Sequence, residues 1–358
     1  VYSGTLESDS SLWNASRNEP ERVAQVFSVN GKQQEAVSAV RAGDIGAVSK
    51  LSTVVTGDTI STREKQVTLE GLSFPRPMYQ MSVFPKTKAD VDKMTSSLAR
   101  IVEEDPSLLV TRDADTQQTL IGGQGDTHLD VSVEKMKRKF GVDIELSVPR
   151  VPYMETVSSR SRVEYRHKKQ SGGHGQYGHV KIELAPLPRG GGFEFDAKVV
   201  GGNVPKEYIP AVEKGVVKSL DEGVLGGYPI VDLKVVLYDG SSHPVDSSGM
   251  SFEIAGSFAL RKGVEEATPV LLEPVMHLQA TIPDASTGEV IGDLNVKRAK
   301  ILGMTPQGGM TVIEAEVPQG EMLRYATDLR SMTQGRGRFM MEFAHYEAVP
   351  EQLTRRIV

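Results

Sequence analysis

The chain has 358 residues, 39% of them hydrophobic, no cysteine and a formal net charge of −6. That length suits two or three packed domains and argues against wholesale disorder, and the missing cysteines exclude disulfides, cysteine-ligated zinc and thiol nucleophiles. The acidic balance excludes a bulk-basic nucleic-acid binder but leaves local basic patches open, and no apolar run is long enough to cross a bilayer.

In chain order, residues 1 to about 70 read as β structure. The β-rich runs "RVAQVFSV" and "VTGDTISTR" are separated by the Gly and Asp turn signals of "RAGDIGAVS". This looks like part of a small barrel. From Met78 the pattern changes. "MYQMSVFP" is strand-like, and "KADVDKMTSSLARIVEED" sets Val91, Met94, Leu98 and Ile101 on one helical face, stopped by Pro106. "LLVTRDADTQQTLIGG" reads as a hairpin around 113–116. "DTHLDVSVEKMKRKF" is a second helix with Leu129, Val133, Met136 and Phe140 in a stripe and Gly141 at its end. With the strand "DIELSV", the order is βαββαβ, the ferredoxin-like arrangement.

Residues 149–267 follow another plan. Strands "SRVEYRHK" and "HVKIELAP" flank the loop "SGGHGQYGHV". A helix is expected over "PKEYIPAVEKGVVKSLDEG", a strand over "YPIVDLKVVLYDG" and a helix over "MSFEIAGSFALRKGVEEA". The loop "DGSSHPVDSSG" joins the last two. From 268 the βαββαβ order returns: strand "EPVMHLQATIP", helix "GEVIGDLNVKRAKIL", hairpin "GMTPQGGMTVIEAEVP" turning at Gly308-Gly309, helix "GEMLRYATDLRSMT" and strand "GRFMMEFAHYEAV". The expected domains are therefore 1–70, 74–148, 149–267 and 268–358, in a multidomain α+β chain.

No catalytic constellation stands out. His174, His179 and nearby His167 have no close carboxylates or cysteines at metal-ligand spacing, and the first two read as exposed loop histidines. There is no GxSxG and no GxxxxGK[ST]. "GGQGDTH" opens a helix with glycines, but without a following Lys it reads as a structural turn. No catalytic, cofactor or metal residue is assigned. RNA contact is the stronger reading. On a strand, Arg160, Arg162, Arg166 and Lys168 share a parity and would line one face, attractive to backbone phosphates. "NVKRAK", read as helical, adds Lys297, Arg298 and Lys300, and "TQGRGRF" adds Arg336 and Arg338. Each patch adjoins Gly-rich backbone that can approach a partner closely, which suits recognition of a folded RNA by shape. The opening "VYSGTLESDS" has no signal-peptide pattern, so a cytoplasmic setting is expected, without a membrane partner. The missing initiator Met reads as a fragment or a processed product.

"KQSGGHGQYGHV", "VGGNVPKEYIPAVEKG", "GVLGGYPIVDLKVVLYDGSSHPVDSSGMSFEIAGS", "PVLLEPVM", "GEVIGDLNVKRAKILGM" and "YATDLRSMTQGRGRFMMEF" resemble, in this order, signatures of elongation factor G, the ribosomal translocase of the translational GTPase family. The resemblance covers essentially the whole chain. It implies the end of barrel domain II, ferredoxin-like domains III and V, and a domain IV with a left-handed βαβ crossover as in ribosomal-protein-like folds. It implies a chain without a GTPase site of its own: GTP and Mg²⁺ would belong to an N-terminal domain of the parent, which would hydrolyse GTP. The implied partners are the ribosome, through rRNA, ribosomal proteins and tRNA–mRNA in the decoding site, and the parent's own GTPase domain, in a monomeric protein. The domain IV tip is implied at Gly172, Gly173, His174, Gly175, Gln176 and Tyr177 and at His243, Pro244 and Asp246, with His243 at its extremity. The sequence departs from the family's usual pattern at His174, where Arg is usual, at Pro244, where Asp is common, and in "GQGDTHLD". A ribosome-recycling or tetracycline-protection-like paralogue and a stand-alone RNA-binding protein are the competing readings.

Overall fold

A computed structural model describes residues 1–170 and 175–358. The chain divides into two compact units, one of Val1–Pro77, Val83–Thr111 and Thr119–Ser147, the other of Met78–Ser82, Arg112–Gln118 and Val148–Val358.

The strands between Thr5 and Ser61 form one two-stranded and two three-stranded sheets, an open rather than a closed barrel. Its small core centres on Val23, Val26 and Val40. A core this small is supplemented by a buried anion. The Glu21 carboxylate accepts the N–H groups of Ser52, Thr53 and Val54 and the hydroxyls of Ser52 and Thr53, at 2.7–3.3 Å. Burial alone would raise its pKa, but these donors from Thr53 and Ser52 outweigh it and pull the group down to about 2.

The next region is βαββαβ. Its strands Tyr79–Pro85, Leu109–Arg112, Thr119–Gly123 and Ile144–Ser147 lie in the order second, third, first, fourth. The helices Lys88–Glu104 and Asp126–Phe140 bury Leu98, Ile101, Leu129 and Met136, as the apolar spacing requires. Val91, placed on that stripe by spacing, is instead 49% exposed. The "GGQGDTH" turn is structural in detail: His128 Nδ1 accepts the Gln124 N–H at 3.1 Å, and its Nε2 meets Asp105 at 2.9 Å.

In the second unit, strands Ser161–Lys169, Gln176–Pro186, Leu233–Ser241 and Phe193–Ala197 form a sheet in that spatial order. The first three are antiparallel neighbours, and the last pairs in parallel with Leu233–Ser241. Helices Ile209–Glu222 and Gly249–Glu266 cover one face. Strand alternation sends Val163, Val180, Ile182, Leu184, Val235 and Leu237 into that core, where they meet Val212, Val216, Phe252 and Leu260 from the helices. Fully burying a side chain such as Phe252 stabilises the fold by about 1.5–3 kcal/mol. The two helices approach at Gly215 and Gly256. A Cβ there would stand 2.0 Å from the Glu253 carbonyl oxygen and 2.6 Å from that of Val212.

Strand Met154–Val157 runs antiparallel to the first residues of the long strand Pro269–Pro283. Between these regions the fully buried Glu155 carboxylate accepts four main-chain N–H groups, from Val224, Leu225, Gly226 and Tyr228, at 2.7–3.1 Å. The final region repeats the βαββαβ order. Strands Arg338–Ala348, Pro269–Pro283, Met310–Pro318 and Lys300–Gln307 lie side by side. The helices Thr287–Val296 and Tyr325–Thr333 pack on a core of Leu278, Ala280, Ile313, Val317, Tyr325 and Leu329. The first helix ends at Val296, earlier than its sequence pattern predicts. Arg298 follows in the left-handed conformation at φ +60°, so "KRAK" turns out of the helix and into the next strand.

Candidate nucleic-acid interface

The three-strand register gathers two distant loops at one end of the sheet of residues 161–241. Ser241 lies opposite His179, and Tyr177 bridges to Ser247. Gly178 permits this: a Cβ there would lie 2.5 Å from the Ser251 carbonyl oxygen, so only glycine lets the strand rest on the start of the helix Gly249–Glu266. Ser248 caps that helix, accepting the Ser251 N–H at 3.3 Å. The loop 242–248 is therefore fixed at its far end by a helix and at its near end by a strand.

Within the loop, hydrogen bonds replace a hydrophobic anchor. The His243 N–H donates to Ser247 Oγ at 2.8 Å, and the Ser247 N–H returns to the His243 carbonyl at 3.2 Å. His243 Nδ1 accepts the Asp246 N–H at 3.1 Å, with that carboxylate 3.3 Å away. Asp246 Oδ1 accepts the Gly175 N–H at 3.0 Å, and the Tyr177 N–H donates to the Asp246 carbonyl at 2.8 Å. With Nδ1 occupied as an acceptor, the ring's remaining donor is Nε2–H. The His243 side chain is half exposed, and Pro244 and Val245 beside it are exposed. Imidazole there can stack on a base or ribose and donate one hydrogen bond.

Of the tip residues expected from sequence, Gly175, Gln176, Tyr177, His243, Pro244 and Asp246 come together. Gly172, Gly173 and His174 lie outside the described residues. Asp246 faces inward as the tie between the loops, and Gln176 bonds His167 at 3.0 Å.

The basic row needs correction. Arg160 precedes the strand Ser161–Lys169, so the parity argument does not hold it. Arg162 is on the open face but paired with Glu183 at 2.8 Å and set over the Tyr238 ring at 5.9 Å. Glu164 shares that face, Lys181–Asp239 neutralises the level next to His179 and Ser241, and Lys234–Glu194 the remoter end. Arg166 and Lys168, toward the loops, are exposed and have no ion pair among the described residues. Arg160, at the other end of the strand, is also exposed and without an ion pair among the described residues, so Arg166 and Lys168 are unpaired cations of the loop end and not the sheet's whole set. His179, expected to be an exposed loop residue, is 5% exposed. It lies within the strand Gln176–Pro186, with Nδ1 3.0 Å from Ser241 Oγ and Nε2 3.4 Å from Glu164. The strand pattern "HVKIELAP" places it on a strand, but its burial comes from Ser241 and Glu164 on the neighbouring strands.

The patch of residues 297–300 also differs from expectation. It is not helical, and its cations are largely spent internally. Lys297 pairs with Asp293 and Asp328 at 2.8 and 3.0 Å. Arg298 binds Glu273 through two nitrogens at 2.6 and 2.8 Å and Glu321 at 3.0 Å. The Glu273 contact above all holds its guanidinium more firmly protonated than usual. Lys300 is exposed and 3.5 Å from Glu316. Arg336 and Arg338 are exposed at the start of the strand Arg338–Ala348.

Comparison with known proteins gives four family matches in series. Residues 1–61 match elongation factor Tu domain 2, 74–148 elongation factor G domain III, 149–268 elongation factor G domain IV, and 270–357 the elongation factor G C-terminus. A crystal structure of a protein from Thermus thermophilus is similar at 36% identity and a TM-score of 0.76, over 99% of this chain and 53% of that one. The chain thus spans about half the length of that structure. With three successive elongation factor G models covering nearly all of residues 74–357, the chain belongs to the elongation factor G family.

Proposed function

We propose that this chain is the ribosome-binding part of a GTP-hydrolysing elongation factor that promotes tRNA–mRNA translocation, with its paired loops entering the decoding site. The observation that carries this reading is the half-exposed His243, held by hydrogen bonds at the end of the sheet where the exposed, unpaired Arg166 and Lys168 also lie. An exposed ring on a hydrogen-bonded loop, with unpaired cations on the adjoining strand, fits an RNA site better than an enzyme cleft. On this reading GTP and Mg²⁺ are bound outside residues 1–358, the partners are rRNA, ribosomal proteins and the tRNA–mRNA pair, and the setting is the cytoplasm of a monomeric factor. A second reading is a ribosome-recycling or tetracycline-protection-like paralogue, for which the departure at Pro244, directly after His243 where Asp is common in the family, leaves room.

The test is single-turnover kinetics of the full-length protein on ribosomes, following mRNA movement and phosphate release in parallel. His243→Ala is expected to slow movement while phosphate release stays near wild type. Equal loss of both rates would overturn the tip role. A wild-type protein that splits ribosomal subunits but does not move mRNA would establish the second reading.

A further inference from the structure

His243 has no apolar anchor, and the hydrogen bonds and ring contact around it converge on Tyr177. Through its main chain, Tyr177 donates to the Asp246 carbonyl at 2.8 Å and accepts the Ser247 hydroxyl at 3.0 Å. That same Ser247 oxygen accepts the His243 N–H. Through its side chain, the Tyr177 ring stands 6.1 Å from the His243 ring, tilted by 52°. Its hydroxyl lies 2.8 Å from Ser241 Oγ, which is 3.0 Å from Nδ1 of the buried His179, whose other nitrogen reaches Glu164. Tyr177 is thus pinned at its far end to three strands of the sheet and presents its ring and main chain to the loop.

We propose that Tyr177 is a positioning residue for His243, with the Ser241–His179–Glu164 chain as the fixture that holds Tyr177. The proposal rests on the reading of His243 as the contacting group. A phenol ring with its hydroxyl anchored has few rotamers left, so it is a fixed wall against which the imidazole leans. The main-chain bonds set where the loop lies, and the wall sets which way the ring faces. Without it the Nε2–H donor would sample many directions, and a contact that must meet a moving RNA would be made more rarely. Misplacing a contacting group by about 1 Å can cost up to roughly 10²-fold in rate.

Two measurements separate this from a general role in folding. In the 358-residue chain with labelled histidine, NMR relaxation of the His243 ring Cε1–H reports its order. Wild type is expected near the rigid value of about 0.85, falling below about 0.6 in Tyr177→Ala. Tyr177→Phe, which keeps the ring and loses only the Ser241 bond, and Ser241→Ala are expected between the two, and they serve if Tyr177→Ala does not fold. A wild-type ring already as mobile as a free side chain, or unchanged order in all three variants, would overturn the proposal. In the full-length protein, Tyr177→Ala is expected to slow mRNA movement several-fold, no more than His243→Ala does, with phosphate release unchanged. The double variant is expected to add no further loss, because both changes remove one device. Additive losses would mean that Tyr177 acts on its own and would refute the proposal. If ring order falls as expected while His243→Ala leaves movement intact, the positioning stands and the decoding-site reading fails.

Discussion

Arg166 and Lys168 on the strand Ser161–Lys169, and Lys297 and Arg298 after the helix Thr287–Val296, are all basic residues that the sequence offers for contact with RNA. The protein uses them in opposite ways. Around Lys297 and Arg298 four carboxylates converge, from Asp293, Asp328, Glu273 and Glu321, and the cations close a helix end against a sheet. Near the tip the acids are engaged elsewhere, Asp246 with the Gly175 N–H and beside His243. Glu183 takes Arg162 and Asp239 takes Lys181, and among the described residues none takes Arg166 or Lys168. A basic run is therefore an electrostatic footprint only where the fold brings no acids to it, and that supply comes from residues far apart in sequence.

The comparison breaks most visibly at Arg298. Glu273 beneath it is 3% exposed, and removing its partner leaves a nearly buried charge uncompensated. Arg298→Met is expected to lower stability by about 3 kcal/mol, at the low end for breaking a buried pair because the guanidinium itself is partly exposed. Replacing both residues, Arg298→Met with Glu273→Leu, should recover much of the loss, since no stranded charge remains. Urea unfolding of the three chains measures both effects. If the single change costs no more than an ordinary surface substitution, Arg298 belongs with the open cations after all.

A carboxylate in the first region follows the same rule with the sign reversed. Glu21 is fixed by donors of Ser52, Thr53 and Val54 and sits near a pKa of about 2 against an ordinary 4.5. A carboxylate depressed on folding contributes stability that is fully present above its unfolded value and is lost as pH falls through the folded one. The region of residues 1–61 is therefore expected to weaken as pH drops from about 4.5 toward 2, and Glu21→Gln should flatten that dependence while lowering stability at neutral pH. Hydrogen exchange of the Thr53 and Val54 amides across this window reads it directly. Next in size is His243→Ala. The loop loses the acceptor for the Asp246 N–H, and a lost hydrogen bond at a half-exposed site costs about 1 kcal/mol or less, measurable as a small shift in thermal unfolding.

Much of the fold was legible because local pattern and tertiary burial agree. The stripe Leu129, Val133, Met136 and the alternation Val180, Ile182, Leu184 each choose one face, and the core takes that face. Where the signals part, the sequence misleads. "GEVIGDLNVKRAKIL" has good helix formers to its end, but the strand Lys300–Gln307 must start by Lys300 to reach its partner Met310–Pro318, so Arg298 turns through φ +60°. His179 read as a loop residue because glycines precede it, and its partner Ser241 lies 62 positions away. Both tip loops stood out by composition, but the Asp246 and Ser247 bonds that join them could not, since each crosses about 70 residues.

The smallest expected effect on stability sharpens the comparison furthest. Arg166 and Lys168 are exposed, and no ion pair of theirs among the described residues is lost on substitution. The double change to Gln should move stability by no more than about 0.5 kcal/mol. Binding should respond instead. Each phosphate contact removed lowers the log–log salt slope by roughly 0.7–0.9, so the pair should flatten it by about 1.5 in ribosome pelleting across a salt series. Lys297→Gln alters a cation already held by two carboxylates, so it should leave the slope unchanged and cost stability. The two variants are thus expected to exchange effects, one silent in unfolding and visible in salt dependence, the other the reverse. An equal loss of slope from both would mean that Lys297 leaves its acids to meet phosphate, and the division of the basic residues into fastened and open sets would be wrong.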